Sequence, residues 1–367
     1  MRVCLTVPSL DRAFGGPTLL AEQLGRALAD QGARVRIVGC GPGTGPDVVG
    51  LPRLAAFHAT PVPAVLGPLI RLVRAADVVH IIGYRDPVGT AAAAIARASH
   101  VPYVVEPAGM LRPRIRSLRL KGAFDRSVGR SLVNRAARVV ATSRAEAAEM
   151  RAWGVPEHLV CVRPIGIRSP EVDGDETDMR ARLGLPSVAP LVVSIGRITM
   201  KKRLTDLARA LARAPGLWAL VAGPPDDDGA LAELLAVRDA LGLEARLVVH
   251  PQGLWGREKR AMLSQADCFC LPSASENFAI APVEAAAAGL PVVTTSACAA
   301  IEYLPSASTR VVQVGDVDAL AEALIEMSSK AARHTAVAEV PGLLARLDWG
   351  AIAQSQMDQY ETMCGIR

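Results

Sequence analysis

A repeating order of short β-branched runs, glycine-bearing loops and apolar-periodic stretches constrains this chain more than any other feature. Arg2 to Val7 is a β-branched run, the loop PSLDRAFGGP follows it, and Pro17 to Asp30 carries a helical apolar period. Pro17 suits a first helical turn, where its missing N–H costs nothing, and Gly32 suits the position just past a helix end. Val35 to Val38 is the next strand. Strand, glycine loop, helix and strand open a βαβ unit, whose parallel strands are buried on both faces and therefore lack polar alternation. The order continues through Val78 to Ile82, a helix near Gly89 to Ala98, Tyr103 to Val105, a long basic segment, Val139 to Ala141, a helix near Ala145 to Trp153 and a strand near Val160 to Val162.

The stretch Ser169 to Thr177 (SPEVDGDET) is polar, acidic and rich in turn formers, which marks a link between domains. Beyond it the order restarts. Strands are expected at Leu191 to Ser194, Trp218 to Ala222, Leu247 to Val249, Cys268 to Leu271, Pro291 to Thr294 and Val311 to Val314. Helices are expected at Leu204 to Ala214, Leu231 to Leu241, Arg257 to Ser264, from Pro282 onward, and at Val317 to Met327. A chain of 367 residues has the length of two domains. Charge divides at the same place: 23 basic and 11 acidic residues up to Arg168, then 18 and 25. Two doubly wound α/β domains in tandem account for this better than one barrel.

Half the residues are hydrophobic and 21% are charged, which excludes a disordered chain. Seven cysteines form no CxxC pair and sit mostly in Val/Leu-rich runs, as buried free thiols of a reducing compartment would. The opening MRVCLTVPSLD has the apolar length of a strand, not of a signal peptide. Leu54 to Ile70 is uncharged but broken by Pro61, Pro63 and Pro68, so no spanning helix is expected. These features point to the cytoplasm, its membrane face included.

In such domains ligands gather where the strands end. Gly15-Gly16-Pro17 follows the first strand and opens a helix, so backbone N–H groups there can meet an anion. A plain tight turn explains the same residues. Neither GxGxxG nor GxxxxGK[ST] occurs, which argues against a dehydrogenase and a P-loop enzyme. In the second half, GRITMKK places Arg197, Lys201 and Lys202 between a strand and a helix, where guanidinium and ammonium groups can clamp a diphosphate. Further on, Glu276 lies in a loop and Glu284 two residues past Pro282, in an expected first helical turn that favours a carboxylate. Paired carboxylates can hold a polyhydroxylated ligand by its hydroxyls.

GRITMKKR, followed by SENFAIAPVEAAAAGLPVV with its Glu-x7-Glu spacing, closely resembles the donor site of retaining, nucleotide-sugar-dependent glycosyltransferases of family four. The resemblance takes in GGP near the start, DVVHIIG, EPAGMLRP, ATSRAEAAEMRAWG, PIGI, AGPPDDD, GREKRAMLSQADCFCLPSASENF and a terminal pair, Trp349 and Tyr360. It implies the GT-B fold: two facing Rossmann-like domains with the active site in the cleft between them. The expected division is 1–168 for the acceptor domain, 169–345 for the donor domain, and 346–367 for a last helix returning to the first domain.

The resemblance also implies roles. Arg197 and Lys202 would hold the donor diphosphate and stabilise the charge that develops as the sugar leaves. Glu276 would contact the transferred sugar, with the backbone N–H groups of Asn277 and Phe278 near its hydroxyls or phosphate. Glu284 would take the ribose hydroxyls, and Gly16 would let the first domain approach the diphosphate. The implied reaction needs no metal and no cofactor beyond the nucleoside-diphosphate sugar itself, with UDP preferred and GDP next. The run Asp226-Asp227-Asp228 is expected to be a solvated turn and not a metal site.

Three positions depart from the family pattern: Ala108 and Ile82 stand where many relatives have acceptor-side polar residues, and Ile165 replaces an asparagine. Either the acceptor is unusual, or Glu106 and His80 supply the polar contacts, and His80 is a catalytic candidate on that ground. A structural histidine is the plainer alternative. The segment from Arg112 to Arg144 holds ten Arg or Lys and a single acidic residue, Asp125. Its Arg112 to Arg130 part could lie against anionic lipid heads or be an ordinary solvated face. A nucleic-acid groove would need stacking aromatics, of which this part has one, Phe124.

The expected activity is hexosyl or N-acetylhexosaminyl transfer to a sugar or lipid-linked glycan in polysaccharide assembly, at the cytoplasmic face of the membrane. Glycosylation of a secondary metabolite, a nucleotide-sugar epimerase or hydrolase, and a degenerate nucleotide-sugar-binding homologue are the alternatives.

Overall fold

The computed structural model describes residues 1–11, 15–53, 66–111, 118–168 and 177–366. They form two compact units, one of Met1–Gly166 with Trp349–Arg367 and one of Ile167–Asp348.

The first unit carries a seven-stranded, all-parallel sheet of β1 (Arg2–Ser9), β2 (Arg34–Cys40), β3 (Val48–Leu51), β4 (Val78–Ile82), β5 (Tyr103–Glu106), β6 (Arg138–Ala141) and β7 (Val160–Val162). Its order is β3-β2-β1-β4-β5-β6-β7. The two-residue period of a strand sorts its side chains. Val3, Leu5, Val7, Val78, Ile82, Val104 and Val140 pack against helix Gly16–Asp30 and the last helix, Trp349–Met363. Cys4, Val79, Ile81, Val105 and Val139 face helices Gly67–Ala75, Pro87–Ala98 and Arg144–Trp153. Strand β3 and helix Gly67–Ala75 were not expected. The strand is short and its flanks, GPGTGPD and LPR, read as loop.

The second unit carries a six-stranded parallel sheet: β8 (Leu191–Ile195), β9 (Trp218–Ala222), β10 (Leu247–His250), β11 (Cys268–Leu271), β12 (Val292–Thr295) and β13 (Thr309–Val312). Its order is β10-β9-β8-β11-β12-β13. β13 lies two residues earlier than expected. Val192, Ala219, Val221, Cys268, Cys270 and Val293 pack against helices Leu204–Arg213, Ala230–Ala240 and Val317–Met327. A further helix, Lys330–Arg346, was not expected either. Where the chain enters and leaves this unit, Ile167 N–H donates to the Leu347 carbonyl at 2.7 Å.

Both sheets therefore have doubly wound α/β topology, with their strand order reversing beside β1 and β8. All seven cysteines are free, and burial raises their thiol pKa values. Among the described residues no helix is long and apolar enough to cross a membrane. Most of the expected linker, 169–176, lies outside the described residues, as does 54–65.

Candidate functional site

In an open parallel sheet the crevice for a ligand lies at the carboxyl ends of the strands where the order reverses. In the second sheet those strands are β8 and β11. β8 delivers the loop 196–203, and β11 delivers the loop 272–279.

The first loop opens at Gly196, whose φ of +136° suits glycine alone; a Cβ there would also stand 2.5 Å from Lys202 Nζ. Lys202 is thus folded back under the end of β8. Burial, reinforced by the like charges of Lys201, Arg197 and Lys259 and opposed by Glu276, brings its pKa down from 10.5 to about 8. Lys201 Nζ lies 3.3 Å from Glu276 Oε2, and Ser273 Oγ donates to Glu276 Oε1 at 3.2 Å. Backbone bonds fix this meeting of loops: Ala274 N–H donates to the Lys201 carbonyl at 2.8 Å, and Glu276 N–H to the Ala297 carbonyl at 3.0 Å.

Arg197 is more loosely held, 3.8 Å from Asp226, with both side chains over a third exposed. Of the acidic run, Asp228 is no freely solvated turn residue. It accepts the backbone N–H of Met200 at 2.8 Å and of Ala230 at 3.1 Å, and so braces the basic loop. Among the described residues no group of three or more His, Cys, Asp or Glu is arranged to hold a metal.

Glu284 needs a correction. Its helix is Ile280–Ala287, which begins two residues before Pro282 because Ala279 takes a left-handed φ of +59°. Glu284 is therefore beyond the first turn, where the helix dipole has faded. What holds it instead is Lys259, from helix Gly256–Gln265, with Nζ 2.5 Å from Glu284 Oε2. Lys259 is a site residue that reasoning from the sequence missed. Phe278 is buried, with its ring against Tyr303 at 5.4 Å between centroids, so it anchors the loop and leaves only backbone for a ligand.

The other expected residues, Gly16 and His80, belong to the first unit. Gly15 bends the chain at φ +97°, whereas a Cβ on Gly16 would meet nothing within 4 Å among the described residues. His80 sits as the plainer, structural reading expects. It is fully buried in β4, with Nε2 3.0 Å from Glu106 Oε2 and Nδ1 2.5 Å from the Tyr360 hydroxyl. Arg163 Nη2 reaches the same Glu106 oxygen at 2.5 Å.

Burial lowers the pKa of His80, and Arg163 and His80 hold the Glu106 carboxyl below its usual range despite its own burial. An ionised Glu106 can only accept, so Nε2 carries the ring proton and Nδ1 accepts from Tyr360. Both nitrogens are occupied and shielded from solvent. Through Tyr360, His80 ties the last helix to the sheet, and in this arrangement both it and Glu106 are enclosed by protein.

Ile82 is likewise core. Ala108 sits after β5 at φ +51°, followed by Gly109 at +80°, and the Glu146 carboxylate holds that turn by accepting Gly109 N–H at 2.5 Å. In the basic segment, residues 112–117 lie outside the described residues. Arg119, Arg126 and Arg130 are exposed, while Asp125 is buried and bound by the Tyr84 hydroxyl at 2.9 Å and by Arg85.

The model for "Glycosyl transferase 4-like domain" matches residues 15–166, and that for "Glycosyl transferases group 1" matches residues 175–339. The chain belongs to the family-four type of GT-B glycosyltransferases. A D-inositol 3-phosphate glycosyltransferase from Mycobacterium sp. (strain JLS) is 35% identical over 192 residues. That stretch is 50% of this chain but only 42% of the relative's length. Among solved structures, the Anabaena protein HepE with UDP-glucose superposes with a TM-score of 0.81 at 19% identity, over 99% of this chain and 100% of HepE. The sucrose-phosphate synthase of Thermosynechococcus elongatus superposes with a TM-score of 0.78 at 20% identity, over the whole of both chains. At such identities the likeness concerns the fold, and the GT-B glycosyltransferase fold is the one expected.

Proposed function

We propose that this chain is a retaining glycosyltransferase that moves a hexose or N-acetylhexosamine from a nucleoside-diphosphate sugar, with UDP the preferred nucleotide and GDP the next. The observation that carries the reading is the gathering of Lys201 beside Glu276 and of Lys202 within reach of the charges of both and of Arg197, at the carboxyl ends of β8 and β11. Cations held by the fold before the donor arrives need little reorganisation when the leaving diphosphate gathers charge. Lys202, which burial has stripped of much of its hydration, gains most from an incoming anion. Glu276, held by Lys201 and Ser273, would orient the transferred sugar, and Glu284 the ribose. The cationic loop fills the part a divalent metal would otherwise play, so transfer is metal-independent in this reading.

The acceptor is a sugar or lipid-linked glycan in polysaccharide assembly, with the protein at the cytoplasmic face of the membrane and Arg119, Arg126 and Arg130 toward anionic lipid. The name of the mycobacterial relative, a D-inositol 3-phosphate glycosyltransferase, favours a second acceptor class, a phosphorylated polyol. Incubating the protein with UDP-, GDP-, ADP- and dTDP-sugars, each with glycan and inositol-phosphate acceptors, tests both. A product whose anomeric configuration matches the donor's, formed equally after exhaustive chelation, is expected. An inverted product, or one that forms only when magnesium or manganese is restored, would overturn the mechanism.

A further inference from the structure

The ion pair between Lys259 and Glu284 in the second unit's candidate site joins two helices that share no loop. Lys259 projects from helix Gly256–Gln265 and Glu284 from helix Ile280–Ala287, with Nζ 2.5 Å from Oε2 and both side chains less than a quarter exposed. A carboxylate has two oxygens and about four acceptor positions. Holding Oε2 on a cation narrows the rotation of the group and leaves Oε1 for a ligand. An unpinned glutamate would rotate about its last torsion, which is broad.

The surroundings give the pinning a purpose. Arg197, Lys201, Lys202 and Lys259 gather in this part of the unit, and the charge of Lys259 is felt at Lys202. A Glu284 free to swing would be drawn toward the phosphate-binding cations and would compete with the donor for them. Lys259 keeps it away from that role.

We propose that Lys259 is a positioning residue: it holds the Glu284 carboxylate at one fixed orientation, so that this carboxylate recognises the hydroxyls of the donor's ribose. This rests on the donor site proposed above and adds to it a residue that decides between ribo- and deoxyribonucleotides. Lys259 itself touches protein, not ligand.

The test is calorimetric, on the full chain, with UDP and 2′-deoxy-UDP, and GDP and 2′-deoxy-GDP in parallel. Wild type should prefer the ribonucleotide, as a site built around a substrate hydroxyl does. In Lys259→Met the preference should fall most of the way to one, as in Glu284→Gln, while Lys259→Arg keeps it. A general loss of structure would weaken both nucleotides alike and would not move their ratio. If Lys259→Met weakens both equally with the preference intact, Lys259 serves the phosphates or the fold, and the inference is overturned. If wild type binds none of the four nucleotides, the proposed donor site falls, and this inference falls with it.

Discussion

Residue 196 and Lys202 are fitted to each other: a Cβ on Gly196 would stand 2.5 Å from the ammonium nitrogen six residues later. The backbone at Gly196 is also left-handed, at φ +136°. Gly196→Ala should therefore displace Lys202 from the end of β8. The strain of a side chain in that conformation costs about 1–2 kcal/mol, enough to lower the melting temperature without unfolding the chain. The prediction is a weakened affinity for nucleoside diphosphates in a protein with unchanged circular dichroism. Unchanged affinity would mean that Lys202 does not reach the ligand from this position.

Glu276 and Glu284 are held by different lysines and should fail differently. Glu284, held by Lys259, would make the same ribose contact in ground and transition states, so Glu284→Gln should mainly raise the donor KM. Glu276 lies beside Lys201 at 3.3 Å, next to the cations expected to receive the leaving group, so Glu276→Gln should mainly lower kcat. Steady-state kinetics with donor varied at saturating acceptor separates them. A defect in KM alone for both would put the reacting centre elsewhere.

The lowered pKa of Lys202, about 8, gives a pH dependence with a definite sign. In the free protein its positive charge is lost as pH rises through that value, so affinity for UDP should fall between pH 7 and 9, and binding in that range should take up a proton. Lys202→Arg, whose guanidinium stays charged, should flatten the profile. Stability runs the other way. Between about 8 and 10.5 the unfolded chain binds more protons at this residue than the folded one, so this group's contribution to stability rises with pH across that window. Affinity that is flat across pH 7 to 9 in wild type would contradict a partly desolvated Lys202 ammonium at the phosphate site.

In the first unit, Gly166 lies against the Trp349 indole, and a Cβ there would come within 2.5 Å of the ring. Overpacking of this kind costs roughly 1–3 kcal/mol. Gly166→Ala should lower the thermal midpoint measured by circular dichroism, whereas Gly16→Ala, whose Cβ would meet nothing within 4 Å among the described residues, should not. Equal midpoints for the two variants would show that the last helix does not pack where Trp349 and Tyr360 indicate.

Much of this was legible in the sequence because parallel strands write themselves as short apolar runs: Val78–Ile82, Val160–Val162, Trp218–Ala222 and Cys268–Leu271 have the expected bounds. The basic loop and Glu276 were legible too, since both follow such runs directly. What escaped was set by tertiary contact. Lys259 stands in a helix among other charged residues, and nothing local marks it as the partner of Glu284, 25 residues on. For His80 the sequence left a catalytic and a structural reading open, and its partners Glu106 and Tyr360, 26 and 280 residues away, are set by tertiary contact. The start of the helix at Ile280 depends on a left-handed alanine, Ala279, a conformation that composition does not announce. β3 was hidden between proline- and glycine-rich flanks.

The central claim is that the loops after β8 and β11 form a nucleoside-diphosphate site in which Arg197 and Lys202 hold the phosphates. Titration calorimetry of wild type, Arg197→Ala and Lys202→Ala with UDP and GDP tests it most directly. The account predicts one site per chain in wild type and a large loss in each variant. Removing one such charged donor should also slow turnover about a hundredfold, roughly 3 kcal/mol in the transition state. Nucleotide binding of wild-type strength in both variants, with their folds intact, would contradict it.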